Sequence, residues 1–158
     1  MSEAELRLIE EAKNCTLYTI QFTSEDSSEF ERFYAKFKDD VELNPDLMRI
    51  VGFIDRIADV GAFERFFRPE GKMSDNVCAL PVVSSKLRLY CLRLSDKILI
   101  LGNGDVKKTR TYTEDDELKG YVLSFIKVFK KCNLCPIFSP WSVDWHKHCN
   151  NFRRIVFS

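Results

Sequence analysis

Histidine is scarce in this chain of 158 residues: there are two, and neither precedes position 146. That absence excludes a Ser-His-Asp or Cys-His arrangement from everything before the C-terminal tail. Glycine and proline are few, six and five, which excludes a collagen and argues against a disordered chain. No run of about 18 apolar residues occurs, so no membrane-spanning helix is expected. The N-terminal stretch (MSEAELRLIEEAKN) is acidic and has no apolar core, so it does not read as a signal peptide. No charge of one sign dominates, since 24 basic residues balance 24 acidic ones. What remains is globular: 45% hydrophobic and 30% charged residues, the size of one ordinary domain. A chain of this length can bury roughly two thirds of its unfolded surface, enough to fold without a covalent staple.

The six cysteines do not describe a disulfide scaffold, because nothing in the sequence points to an oxidising compartment; a cytoplasmic location is expected. Cys15, Cys78 and Cys91 each lie within an apolar run and read as small buried hydrophobes. The balanced charge is unevenly distributed: residues 1–60 carry net −7, residues 61–112 net +5 and residues 113–158 net +2. A basic middle third can meet an anionic partner such as nucleic acid, although a solvated charged surface gives the same count.

Residues 15–22 are β-branched and aromatic and predict a strand. Ser28 followed by Glu31 is a capping-box start, and Phe30, Phe33, Tyr34 and Phe37 form one apolar helix stripe. Asn44-Pro45 opens a second helix striped by Leu47, Ile50, Val51, Ile54, Ile57 and Ala58, with Gly61 as terminator. The two form a helical hairpin that must cover a flat apolar surface. Strands follow at Ala79–Val83, Lys86–Leu94 and Ile98–Leu101; Gly102-Asn103-Gly104 breaks the run, and Val106–Tyr112 makes a fourth, edge-like piece. Thr113 with Asp116 caps a last helix, striped by Leu118, Tyr121, Val122, Phe125 and Phe129. The short turns between the later strands predict antiparallel pairing. The fold class is α+β: an antiparallel sheet of three to four strands, with the helical hairpin and a C-terminal helix packed on it.

Residues 102–109 look briefly like a phosphate loop but fail, because Val106 stands where that motif needs glycine before its lysine. The cations are more informative. Lys86 and Arg88 share one face of their strand by the period of two, and Lys108, Arg110 and Tyr112 share one face of the later strand. Arg65, Arg68 and Lys72 lie just before the sheet. On a curved sheet these groups line one basic concave face suited to RNA phosphates, with Tyr112 offering a ring for base stacking or a proton. The competing reading is that edge strands carry cations to stay soluble.

The stretch from Ala79 to Leu101, with Lys86-Leu87-Arg88 leading into two apolar strands, and the later Val106-Lys107-Lys108-Thr109, resembles the RelE/ParE toxin superfamily, HigB-like and phage-derived members in particular. The resemblance covers residues 15–131. It leaves 1–14 as an N-terminal extension and 132–158 as a C-terminal extension. It implies the toxin of a type II toxin–antitoxin system, a ribosome-associated endoribonuclease that cleaves mRNA without metal or other cofactor. The ribose 2′-hydroxyl attacks the adjacent phosphate, which requires charge stabilisation, a base and an acid. Carried over by position, Arg88 contacts the phosphate, Lys107 or Lys108 with Arg110 stabilises the developing charge, and Tyr112 orients the nucleotide. Lys86 is the candidate base if neighbouring cations lower its pKa. The expected partners are a cognate antitoxin protein and mRNA on the ribosome, with no membrane. The sequence departs from the family in length, in its neutral charge and in lacking histidine at the site.

Cys132-Asn133-Leu134-Cys135, with His146, His148 and Cys149 downstream, offers ligands for zinc, but the second half has no familiar spacing. Phe138, Trp141, Trp145 and Phe152 suit a segment packed on the domain instead, and Arg153–Phe157 can add a strand. Two other function classes therefore stand beside the nuclease: a non-nucleolytic binding module of the same fold, gyrase-directed or degenerate, and a zinc-stabilised interaction protein using Cys132, Cys135, His146 and Cys149.

Overall fold

Ser28 starts the first helix as its spacing predicts. Its hydroxyl accepts from the Glu31 amide at 3.2 Å, and the Glu31 carboxylate accepts from the Ser28 amide at 2.8 Å. This helix, α1, spans Glu29–Phe37, and α2 spans Asn44–Val60 with Pro45 in its first turn. Gly61 ends α2 at φ 115°, a left-handed backbone that glycine tolerates and side chains resist. A computed structural model describes residues 2–69, 77–80, 85–107 and 154–157. Its strands are β1 (Ser2–Glu11), β2 (Thr16–Phe22), β3 (Arg68–Pro69), β4 (Val77–Ala79), β5 (Leu87–Ser95), β6 (Ile98–Val106) and β7 (Arg154–Phe157).

The class is α+β, but the sheet is larger than expected and mixed. Among the described residues, seven strands run in the order β3-β4-β5-β6-β2-β1-β7, the outermost two being short. Most neighbours are antiparallel, whereas β2 and β6 are parallel, Thr16 facing Ile98 and Thr19 facing Leu101. The short turns did constrain β5 and β6 to antiparallel pairing. They say nothing about β2, which reaches β6 only through a long connection containing both helices, the kind of crossover that parallel pairing needs.

One further expectation is corrected, and the stretch set apart as residues 1–14 holds β1, paired with β2. It also receives β7, so Arg154–Phe157 does add a strand. Gly102-Asn103-Gly104 does not end its strand. Leu89 faces Gly104 and Cys91 faces Leu101, so Gly102 and Asn103 together oppose Tyr90 in a bulge that β6 runs straight through. Glycine is required at 104, because a Cβ there would overlap the Arg88 carbonyl oxygen and lie 3.0 Å from the Leu89 Cα. The predicted fourth strand beyond residue 107 and the helix after Thr113 lie outside the described residues.

The helical hairpin covers one face of the sheet. Phe33 and Phe37 of α1 and Leu47, Ile50, Ile54 and Ile57 of α2 pack on Leu17, Leu87, Leu89, Cys91, Leu99 and Leu101. Alternation sends Tyr18, Ile20, Arg88, Tyr90, Leu92 and Ile100 to the opposite face, where they too are buried. Removal from water on both sides accounts for the continuous apolar run at Ile98–Leu101.

Candidate functional site

The sheet ends where β5 begins and β6 stops. Just outside that end, the Lys107 amide donates to the Lys86 carbonyl at 2.7 Å, and the Lys107 ammonium donates to the Ser85 carbonyl at 2.9 Å. Lys107 is thereby folded back across the mouth of the β5–β6 pair. Arg88 lies one residue into β5, directly opposite Asp105 of β6. Arg68 arrives on β3, and Asp46 from the first turn of α2.

The charges of Arg88, Arg68 and Asp46 all act on Lys107. Burial holds the Lys107 ammonium below its ordinary pKa of 10.5; the positive charges of Arg88 and then Arg68 lower it further, and Asp46 opposes them. Two cations and one carboxylate thus act on Lys107 at the sheet end, where Asp105 also stands opposite Arg88. Asp46 is buried and ion-paired with Arg49 at 2.7 Å. Arg88 is only 4% exposed, whereas Arg68 is exposed and Lys107 half-buried.

The other described candidates are elsewhere or otherwise engaged. Lys86 is exposed and ion-paired with Glu42 of the α1–α2 connection at 3.3 Å. The lysine crowded by cations is therefore Lys107. Arg65 lies over the rings of Phe63 and Phe66, at 4.6 and 4.9 Å from their centroids, in the short 3-10 turn at Glu64–Phe66. Lys72, Lys108, Arg110 and Tyr112 lie outside the described residues, as do Cys132, Cys135, His146 and Cys149. Among the described residues no group of three or more His, Cys, Asp or Glu is placed to hold a metal ion.

Sequence reasoning missed Asp46, Glu42 and Asp105. Asp46 follows Pro45 in a first helical turn, where an acid is favoured by the helix dipole alone, so nothing local marks it as a neighbour of Lys107. A second polar cluster was also missed. Asn103, in the β6 bulge, donates from Nδ2 to the buried Glu29 Oε2 at 3.1 Å. Nearby, the Thr19 hydroxyl donates to the Leu101 carbonyl at 2.9 Å and accepts from the Phe30 amide at 3.2 Å. Lys36 of α1 donates to the Gly104 carbonyl at 2.8 Å. These bonds seat α1 on the bulge.

No family model, curated protein or solved structure matches the chain.

Proposed function

We propose that this chain is a RelE/HigB-type toxin: the mRNA endoribonuclease of a toxin–antitoxin pair, with the RelE-like arrangement of strand, helical hairpin and sheet at its centre. The observation that supports this reading is the convergence of Arg68, Arg88 and Lys107 at one end of the sheet. Cleavage of an RNA linkage by its own 2′-hydroxyl forms a bond from that oxygen to phosphorus and breaks the bond to the 5′-oxygen. It needs positive charge at the phosphate and a base at the 2′-hydroxyl. Arg68 and the field of buried Arg88 supply the charge. Lys107, whose lowered pKa raises its neutral fraction, takes the proton. Lys108 and Arg110 add charge stabilisation, Tyr112 orients the nucleotide, and Arg65 and Lys72 extend RNA binding, as the resemblance and the spacing assign. The protein works in the cytoplasm, with mRNA on the ribosome and an antitoxin protein as partners.

One observation favours a second reading. A guanidinium as deeply buried as Arg88 suits a non-nucleolytic binding module of the same fold, gyrase-directed or degenerate, in which that arginine serves packing. Expression without an antitoxin, with transcript-end mapping, separates the two. The nuclease reading expects growth arrest with cleaved mRNA, lost in Lys107→Ala and retained in Lys86→Ala. Growth arrest with intact transcripts selects the binding module. Normal growth with intact transcripts overturns the nuclease and the gyrase-directed module and leaves the degenerate one. A zinc-stabilised interaction protein, the third class, stands or falls on the zinc content of the purified chain.

A further inference from the structure

Cys78 of β4 and Cys91 of β5 are directly opposite one another in antiparallel register. Such residues point to the same face of a sheet. Cys91 is fully buried within the core under the helices, and Cys78 is partly buried against that same core. The Leu80 amide donates to the Leu89 carbonyl at 3.1 Å. By alternation, the pair two residues along, 78 and 91, is also of the hydrogen-bonded kind, with Cα atoms about 5.5 Å apart. That separation lies inside the roughly 4.4–6.8 Å span that a disulfide bridges without backbone movement. The two sulfurs also sense each other: burial raises the Cys91 thiol pKa well above its ordinary value, and the charge of Cys78 raises it further. Cys15, the remaining described cysteine, faces no other cysteine in the sheet register.

We propose that Cys78 and Cys91 form an oxidative modification site, a dithiol that hydrogen peroxide converts to a cross-strand disulfide. The difference in exposure sets the order of events. Peroxide reaches Cys78 first; its sulfur takes one peroxide oxygen, giving a sulfenic acid and one water. The Cys91 sulfur then loses its proton and attacks the Cys78 sulfur. The S–S bond forms, the S–O bond breaks, and the departing hydroxide takes the proton to leave a second water. Two thiols have supplied two electrons and peroxide has accepted them. A dithiol reductant reverses the change. The raised pKa of Cys91 makes the second step slow at neutral pH and faster as pH rises.

The bond would fasten β4 to the strand that carries Arg88, and with β4 the paired β3 that carries Arg68. The inference does not depend on RNA cleavage.

The test uses the full chain, treated with hydrogen peroxide, alkylated under denaturing conditions and mapped by peptide mass spectrometry. The expected result is one cross-linked peptide pair joining Cys78 to Cys91, with both positions lost to alkylation and restored by dithiothreitol, and formation quickening between neutral and alkaline pH. In Cys91→Ser, Cys78 should instead accumulate as a sulfenic acid trapped by dimedone. Because Cys91 is a core residue, Cys78→Ser serves as the second variant, in which Cys91 should stay alkylatable after the same treatment. Full alkylation of both cysteines in the treated wild-type chain overturns the proposal. So does a cross-link from either one to Cys15 or to a tail cysteine in place of the expected pair.

Discussion

Asn103 and Glu29 meet by a buried hydrogen bond of 3.1 Å that joins the bulge of β6 to the first residue of α1. The Asn103 side-chain oxygen is used as well, accepting from the Gly104 amide at 2.8 Å. The bulge and the helix start are therefore one unit. Glu29 has a second partner in Arg32 at 3.3 Å, but Arg32 is nearer the surface.

Asn103→Ala should accordingly destabilise the fold by about 1–3 kcal/mol, because it strips a buried carboxylate of a donor while leaving the carboxylate in place. Urea unfolding measures it. A double-mutant cycle with Glu29→Gln should show coupling of about 0.5 kcal/mol or more; strictly additive losses would show that the contact carries no energy.

Gly104→Ala tests the close approach to β5. The added methyl has backbone on its far side, the Arg88 carbonyl, which cannot swing away as a side chain would. A loss of about 1–3 kcal/mol is expected, with weakened protection of the β5 and β6 amides in hydrogen exchange. A fully stable variant would mean that the strands separate at this point at no cost.

Lys107 sets a pH dependence of known sign. Below its lowered folded pKa it is protonated in both folded and unfolded chains, so the cost of burying its charge, beside Arg88 and Arg68, is present in full. As pH rises through the lowered folded pKa toward 10.5, the folded chain gives up the proton first. The unfolded chain then binds more protons, and stability rises with pH. The difference between wild type and Lys107→Met, followed by urea midpoints, should therefore shift in favour of wild type across the alkaline range and level off near 10.5. A flat difference would mean that neither burial nor the arginines lower the Lys107 pKa. On the nuclease reading, RNA cleavage should rise with pH over the same window, and Lys107→Arg, permanently protonated, should be inactive.

Ser28→Ala removes the hydroxyl that caps α1 and should cost about 1 kcal/mol. Glu31→Ala, taking away the reciprocal half, should cost less than both together. Thermal melts of the two variants and their double provide the check. No loss in Ser28→Ala would mean that packing of Phe33 and Phe37 alone holds the helix start.

Much of the fold was legible because its signals are local. The capping pair Ser28 and Glu31, the stripe from Leu47 to Ala58, the stop at Gly61 and the turn at Asp96-Lys97 each depend on residues within a few positions of one another. β1 was not read, because the glutamates and arginine set between Ala4, Leu6 and Leu8 gave the stretch the look of an acidic extension. Of the cation site, the sequence showed the ingredients Arg68, Arg88 and Lys107; the period of two that was expected to set Lys86 beside Arg88 does not apply, because Lys86 precedes β5 and pairs with Glu42.

What the sequence by itself determined is the two helices, the strand at β2, the β5–β6 hairpin and which side of each helix is apolar, since these follow from the spacing of neighbouring side chains. Tertiary structure alone decided that β2 lies parallel to β6, that Asp46 comes to Lys107, that Glu42 occupies Lys86, and that Cys78 faces Cys91. Each of these joins residues far apart in the chain. Their pairing is selected by how the whole core closes over Leu89, Leu99 and Leu101, and no short stretch of sequence carries that choice.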